Sequence, residues 1–429
     1  MTPDTSTTTR LALTRETVEA LVEHRQEPDW LRQIRLDAFE AYERLPLPDQ
    51  RTEGWRRTSL TGLPKLDTLS PRPGAPTPST YVEDPLAEKA GASLFAFRNG
   101  MSMREDSLES GWVMDLQEAL QEPLLAMRIE QHFSKIVKPD TDKFTALHYA
   151  FFNSGVVIFM PRATALEEPI WVNYHFDDPS QAALVHTLIL MDDEAQATVV
   201  EDFTSNVGGL ASGVVEQSLG ANANLRYVNL QRWSQEMWSF STQRAHLAAD
   251  AHVRTLNVAL GSRTARNSVA VVLAGRGSQA DLLGIVATGG RQHVDFETLQ
   301  DHFGDATRSD LVIHDALRER ASANFTGLIR INKSAHQTES SQEQKNILLS
   351  DRAKADSDPK LEILNNDVIR CTHGAAVGPV DPEMLFYLQS RGMDRATAEQ
   401  LIVEGFFQST LAKLGSQPVQ DAVWAAIQP

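Results

Sequence analysis

Ala221-Asn222-Ala223-Asn224-Leu225-Arg226-Tyr227-Val228-Asn229-Leu230 and Ala249-Asp250-Ala251-His252-Val253-Arg254-Thr255-Leu256-Asn257-Val258 share a plan. A small-residue turn comes first, and a short run of Val, Leu and Thr follows. The same kind of turn recurs at Asp193-Glu194-Ala195-Gln196 and Gly275-Arg276-Gly277-Ser278. The third residues fall at 195, 223, 251 and 277, in steps of 28, 28 and 26. A period of this size marks stacked coils, each a strand–turn–strand unit that buries its inner face only against its neighbours. A sandwich with regular hairpins would show the same turns, so the pattern alone leaves both open.

Outward from these turns, residues 151 to 370 contain only short apolar runs, such as Leu184 to Leu190, Thr198 to Val200 and Val269 to Leu273. Many short strands without intervening helices predict an all-β body. The flanks read differently. Thr14 is a candidate helix cap with Val18, Leu21 and Val22 at helical spacing behind it. A second helix starts near Pro28, carries Trp30, Leu31, Ile34, Ala38 and Tyr42, and stops before Pro46 and Pro48. Six prolines between residues 61 and 85 predict an extended linker. Residues 111–137 read as weakly helical. Beyond Cys371, Asp381-Pro382-Glu383 opens a helix closed at Arg391-Gly392, Asp394 caps the next, and Val419 to Ile427 forms a last one. The expected organisation is an N-terminal helical unit over 1–145, a β core over 146–375 and a C-terminal helical unit over 376–429.

Composition narrows the function. Forty Lys and Arg against 57 Asp and Glu give a formal net charge of −17. Such a surface repels phosphate backbones and anionic lipid, so nucleic-acid binding is not the expected task. The longest apolar runs, such as Val156 to Met160, fall far short of the roughly 18 to 20 residues of a membrane span. The single cysteine, Cys371, excludes a disulfide framework and an all-cysteine zinc or iron–sulfur site, and it fits a reducing compartment. Met1 to Arg10 has the character of neither a secretory signal nor a transit peptide, which predicts a cytoplasmic protein.

Three motifs mislead. Gly275 to Ala280 matches GxGxxG/A, but the residues that follow are too β-like to supply the helix N-terminus that binds pyrophosphate. Gly327 with Lys333-Ser334 is superficially similar to a P-loop, yet Asn332 stands where the cradle needs Gly. His293, Asp295 and Glu297 alternate onto one strand face, with His302 and His314-Asp315 further on; the row reads first as a solvated outer ladder, with an interface role and a metal site as the alternatives. Abundant carboxylates keep a carbohydrate-active β-coil enzyme as the alternative reading.

The informative stretch is Ile369-Arg370-Cys371-Thr372-His373-Gly374-Ala375-Ala376-Val377-Gly378. On a strand, Cys371 and His373 face the same way. Thiolate and imidazole are ligands for iron, zinc and copper, although a buried thiol beside a hydrogen-bonded His would look alike. Two ligands do not complete a site, so a metal role needs ligands from another chain.

That stretch, with Asn346 to Ser350, Ala353 to Asp356, Pro359 to Ile363, Asp367-Val368, Asp381, Leu385 to Leu388, Ser390 to Gly392 and Ala398, resembles the SufB/SufD family of iron–sulfur cluster assembly proteins. The resemblance is dense over residues 325–408 and weaker back to about 145. Glu27 to Tyr42 and Glu53-Gly54-Trp55-Arg56-Arg57-Thr58 resemble the helical domain of the D branch, as does the lone Cys-x-His-Gly-Ala run. Gly54 departs from the acidic residue often found before the Trp. The resemblance implies a right-handed parallel β-helix with helical domains at both ends. It implies a non-catalytic scaffold that pairs with a SufB homologue through the β-helices and with the ABC-type ATPase SufC through the C-terminal helices. Sulfur would arrive from a cysteine desulfurase through the B partner, and the D subunit would contribute to iron acquisition. A homodimer is expected where the B partner is absent. No cofactor is expected on the chain alone; the assembled complex would hold a transient iron–sulfur cluster and, in some members, reduced flavin. His373 and Cys371 become candidate interface ligands, and Leu385, Phe386, Leu401, Ile402 and Phe406 a candidate ATPase dock, unless that apolar side caps the end of the β-helix.

Overall fold

The computed structural model describes residues 13–71, 83–108 and 110–428. Pro73, Pro76 and Pro78 of the expected linker, and Met1 to Arg10, lie outside them. The helices are α1 (Arg15–Arg25), α2 (Asp29–Arg44), α3 (Pro85–Ala90), α4 (Leu116–Ala119), α5 (Pro123–His132), α6 (Lys143–Phe151), α7 (Pro382–Ser390), α8 (Arg395–Leu411) and α9 (Gln417–Ile427). The strands begin with β1 (Ser93–Arg98), β2 (Met101–Glu105), β3 (Trp112–Asp115), β4 (Ser154–Met160), β5 (Ile170–Phe176), β6 (Ala183–Met191), β7 (Gln196–Ser205), β8 (Gly209–Leu219) and β9 (Asn224–Arg232). They continue with β10 (Met237–Leu247), β11 (His252–Ala259), β12 (Thr264–Leu273), β13 (Gln279–Thr288), β14 (His293–His302), β15 (Arg308–Leu317), β16 (Ser322–Ile331), β17 (Thr338–Leu348), β18 (Lys354–Ile363) and β19 (Val368–Pro379).

From β4 onward, consecutive strands alternate between two sheets, and each strand pairs in parallel with the strand two places on. This is a parallel β-solenoid, as the repeat predicts. Ala197, Leu225 and Val253 stand in register, one coil apart. The turns stack through their backbones: Asn222 N–H donates to Ala249 O at 2.9 Å, and Asp250 N–H to Arg276 O at 2.9 Å. Glu194, Asn222, Asp250, Gly277, Ala306 and Gln337 all take positive φ, between 54° and 73°. The small residue after each, Ala195, Ala223, Ala251, Ser278, Thr307 or Thr338, is buried in the bore. Gly277 therefore aligns with the second turn residue rather than the third, where glycine adopts the left-handed backbone without a Cβ penalty. This turn is also the GxGxxG match, and strand β13 follows it rather than a helix.

β1, β2 and β3 fall within residues 1–145 yet extend the two sheets, β1 in parallel with β5 and β3 antiparallel to β4. Leu94 to Phe97 are buried on both faces, which a helical stripe would not require. Each sheet has an inner face on a common, largely apolar bore, and helices cover the outer faces over the earlier coils. The N-terminal helices cover the nine-stranded sheet, with Leu31, Phe39, Ile129 and Phe144 packed on Leu184, Leu188, Val214 and Phe240. α8 and α9 cover the ten-stranded sheet, with Phe407, Leu411, Val419 and Val423 packed near Leu256, Ile285 and Val312. Each such side chain contributes about 1.5–3 kcal/mol, so these helices are fixed walls of the solenoid. They lie along its side and leave the β18–β19 end uncapped.

Candidate functional site

β19 is the outermost strand of the ten-stranded sheet and β18 that of the nine-stranded sheet. Each is paired on one side only among the described residues. Both carry exposed apolar groups near this end: Leu361, Ile363 and Val377, with Leu364 and Ile369 alongside, Ile369 64% exposed. An uncovered strand edge with apolar side chains is a template for pairing with another chain.

The Cys371/His373 pair sits on this edge. Cys371 is in register with Ser340 and His373 with Gln342, both inward-facing residues of β17. The two side chains therefore share the inner face of the last coil, the orientation expected from their spacing. Cys371 is half-buried beside Ile329, Ile331 and Ala335. This apolar contact pushes its thiol pKa up, so metal binding there must displace a proton. His373 is exposed and has no hydrogen-bond or ion-pair partner among the described residues. Nor do the described residues group three or more His, Cys, Asp or Glu in a way that could hold an ion. The chain offers two donors at an open edge.

The ladders under the two residues differ. Below Cys371, the Ser340 hydroxyl lies 2.8 Å from that of Ser309, which is also bonded to Gln300 Nε2 at 2.7 Å and His302 Nε2 at 2.8 Å. Below His373, Gln342 rests over the apolar Leu311. One position along, Gln344 donates to Asp315 at 2.9 Å and to Asn346 Oδ1 at 2.8 Å, and accepts from Ser357. Asp315 is fully buried, and burial raises its pKa to about 8. Sequence reasoning grouped His302 and Asp315 with a solvated outer row, whereas both are buried on the inner face, and it missed Gln342 and Gln344 altogether. Gln342 to Asn346 is polar on both strand faces, so alternation gives no sign of which side is buried; only the register with β15 and β19 shows it.

The His293, Asp295, Glu297 row is not a solvated ladder. Asp295 is buried, Arg266 pairs with both carboxylates, and Thr58 Oγ1 bonds to Asp295 and, at 3.0 Å, to His293 Nε2. Arg266 also donates to Gly54 O at 2.8 Å, and its guanidinium lies 4.4 Å from the Trp55 ring centroid. The row anchors the Gly54–Thr58 segment, and its polar groups are consumed there. A single strand's alternation cannot reveal a segment more than 200 residues away that covers it.

The candidate dock divides. Phe406 stacks on His314 at 4.1 Å, and His314 Nδ1 lies 3.0 Å from Phe406 O, so this residue is used against the solenoid wall. Leu385 is buried and Ile402 partly so, while Phe386, 73% exposed, and Leu401 face outward. The apolar side does not cap the solenoid end.

Comparison with known proteins identifies the family. Residues 174–406 match the family described as SUF system FeS cluster assembly, SufBD core domain. The chain is 28% identical to the iron–sulfur cluster assembly protein SufD of Bacillus subtilis over 98% of both chains. It is also 28% identical to SufB of the same organism, over 96% of this chain and 91% of that protein. A SufBD family protein of Mycobacterium bovis is 30% identical over 67% of this chain and 74% of its own. With more than half of its length inside the family's core domain, the chain belongs to the SufB/SufD family of iron–sulfur cluster assembly proteins.

Proposed function

We propose that the chain is a non-catalytic, cytoplasmic scaffold subunit of a Suf-type assembly complex, of the D branch. In this reading the open β18–β19 end pairs with the matching end of a SufB homologue, or with a second copy when that partner is absent. The nascent iron–sulfur cluster is cargo at that junction, with sulfur delivered by a cysteine desulfurase through the partner. His373 supplies an imidazole to incoming iron, and Cys371 stands beside it as a second donor. A neutral imidazole binds ferrous iron without the strength of a thiolate set, which suits cargo that must leave. Phe386 and Leu401, with Met384 and Tyr387 exposed on the same pair of helices, form the face offered to the ATPase SufC.

The observation that carries this reading is the coincidence of two unpaired sheet edges, exposed apolar groups and the Cys371/His373 pair at one end of the solenoid. The carbohydrate-active alternative has no comparable support, since Asp295 and Glu297 are engaged with Arg266.

Two variants test the reading. Ile369→Asp with Val377→Asp places charges where the partner's edge would desolvate them, and should weaken pairing at least about 100-fold by size exclusion with light scattering. His373→Ala should leave pairing and melting temperature unchanged and lower cluster yield in reconstitution at least about tenfold. Unaltered cluster yield would remove His373 from the site.

A further inference from the structure

Resting on the reading of His373 as an iron ligand, we infer that Gln342 is its positioning residue, binding the imidazole through the side-chain amide and leaving the other ring nitrogen free for metal. Gln342 is 3% exposed, and neither its Nε2 nor its Oε1 has a hydrogen-bond partner among the described residues. Leaving a buried amide unpaired costs about 1–3 kcal/mol, so such a group points to a missing contact. Nothing beneath supplies one: the residue in register one coil inward is Leu311, which is fully buried. Across the bore stands Gly327, and a Cβ there would lie 2.8 Å from Gln342 Oε1. A glycine at that place makes room for the Phe325 ring, 2.4 Å from such a Cβ, and for the amide beside it.

The residue in register one coil outward is His373, itself without a partner. Neighbouring strands are about 4.8 Å apart, so in-register side chains on one face lie within a rotamer change of hydrogen-bond contact. The neighbouring ladder is the control. Ser340, under Cys371, is satisfied from within by Ser309 and needs nothing from the outer coil. Two adjacent columns thus end differently, and the incomplete one ends at the imidazole. A histidine that holds a metal through one nitrogen usually donates its other N–H to an oxygen, which fixes tautomer and ring orientation. A glutamine amide can present its oxygen for that purpose.

The test uses the complex of this chain with its SufB-type partner, with Co(II) as a spectroscopic probe of the iron site. Gln342→Met, of similar length and without polar atoms, should weaken Co(II) binding about 10- to 100-fold and alter the Co(II) visible absorption band, with melting temperature not lowered. Gln342→Glu keeps an acceptor oxygen and should restore most of the affinity. In the free chain, imidazole 15N shifts of His373 should report one dominant tautomer in wild type and a mixture in Gln342→Met. This measurement holds even if the variant complex assembles poorly. Wild-type Co(II) affinity and an unchanged tautomer signature in Gln342→Met, with binding lost in His373→Ala, would overturn the positioning role and leave the ligand reading standing. Unchanged Co(II) binding in His373→Ala would overturn the ligand reading itself.

Discussion

Replacing Arg35 by Ala should loosen the N-terminal helical layer from the solenoid, at a cost of about 3–5 kcal/mol. Arg35 is wholly buried. Its Nε and Nη2 donate to the two oxygens of Glu27 at 2.6 and 2.7 Å. Nη1 donates to Ala150 O at 3.1 Å and Nη2 to Phe152 O at 3.2 Å, while the guanidinium lies 3.7 Å from the Phe152 ring centroid. Arg25 adds a bond to Asn153 O at 2.6 Å. These donors satisfy carbonyls freed where α6 ends and β4 begins, and so join the α1–α2 hairpin to the first full coil. The truncation leaves buried Glu27 without its two-pronged partner and with only Arg25, 4.0 Å away, as a counter-charge, which costs far more than losing an exposed pair would. The paired change Arg35→Met with Glu27→Met removes both charges at similar volume and should cost much less. Urea unfolding followed by tryptophan fluorescence checks this, since Trp30 and Trp55 both lie in the N-terminal layer. Equal losses in the single and double variants would mean that packing, not charge, governs the joint.

The second large effect concerns pH. The carboxyl of Asp315 has one oxygen bonded to Gln344 and the other without a partner among the described residues, on the buried inner face of the solenoid. Burial raises its pKa to about 8 from an ordinary 3.8. Below about pH 3.8 the acid is protonated in both folded and unfolded chains and has no effect. Between 3.8 and 8 the unfolded chain releases the proton while the folded chain keeps it, so stability falls as pH rises and the penalty is complete above about 8. Glu201, raised to about 7 by the same cause, adds a decline of the same sign over a narrower window. Asp315→Asn removes the ionisation and keeps an acceptor for Gln344. At pH 8 it should stabilise the chain by a few kcal/mol and flatten the stability profile between pH 4 and 8, read by chemical denaturation across pH. Superimposable profiles for variant and wild type would place the charge elsewhere.

Local chemistry makes much of this protein legible from its sequence. A turn that needs a left-handed residue, then a small buried one, then a β-branched run repeats because each coil solves the same packing problem; Asn222-Ala223 and Asp250-Ala251 show it directly. Thr14 caps α1 by accepting from Thr17 N–H, as its position predicts. The dense run around Cys371 and His373 identifies the family. Tertiary structure alone decided which residues of equal appearance are free and which are spent. His293, Asp295 and Glu297 alternate as cleanly as Cys371 and His373, yet the first row is closed by Thr58 and Arg266 while the second lies on an unpaired edge. Phe406 and Phe386 both belong to the apolar side of the C-terminal helices, yet one stacks on His314 and the other faces outward. Gln342 carries no signal until Leu311 and His373 come into register on either side of it. The physical reason is range: caps, turns and strand alternation act over a few residues, whereas cover, register and an open edge depend on partners tens to hundreds of residues away.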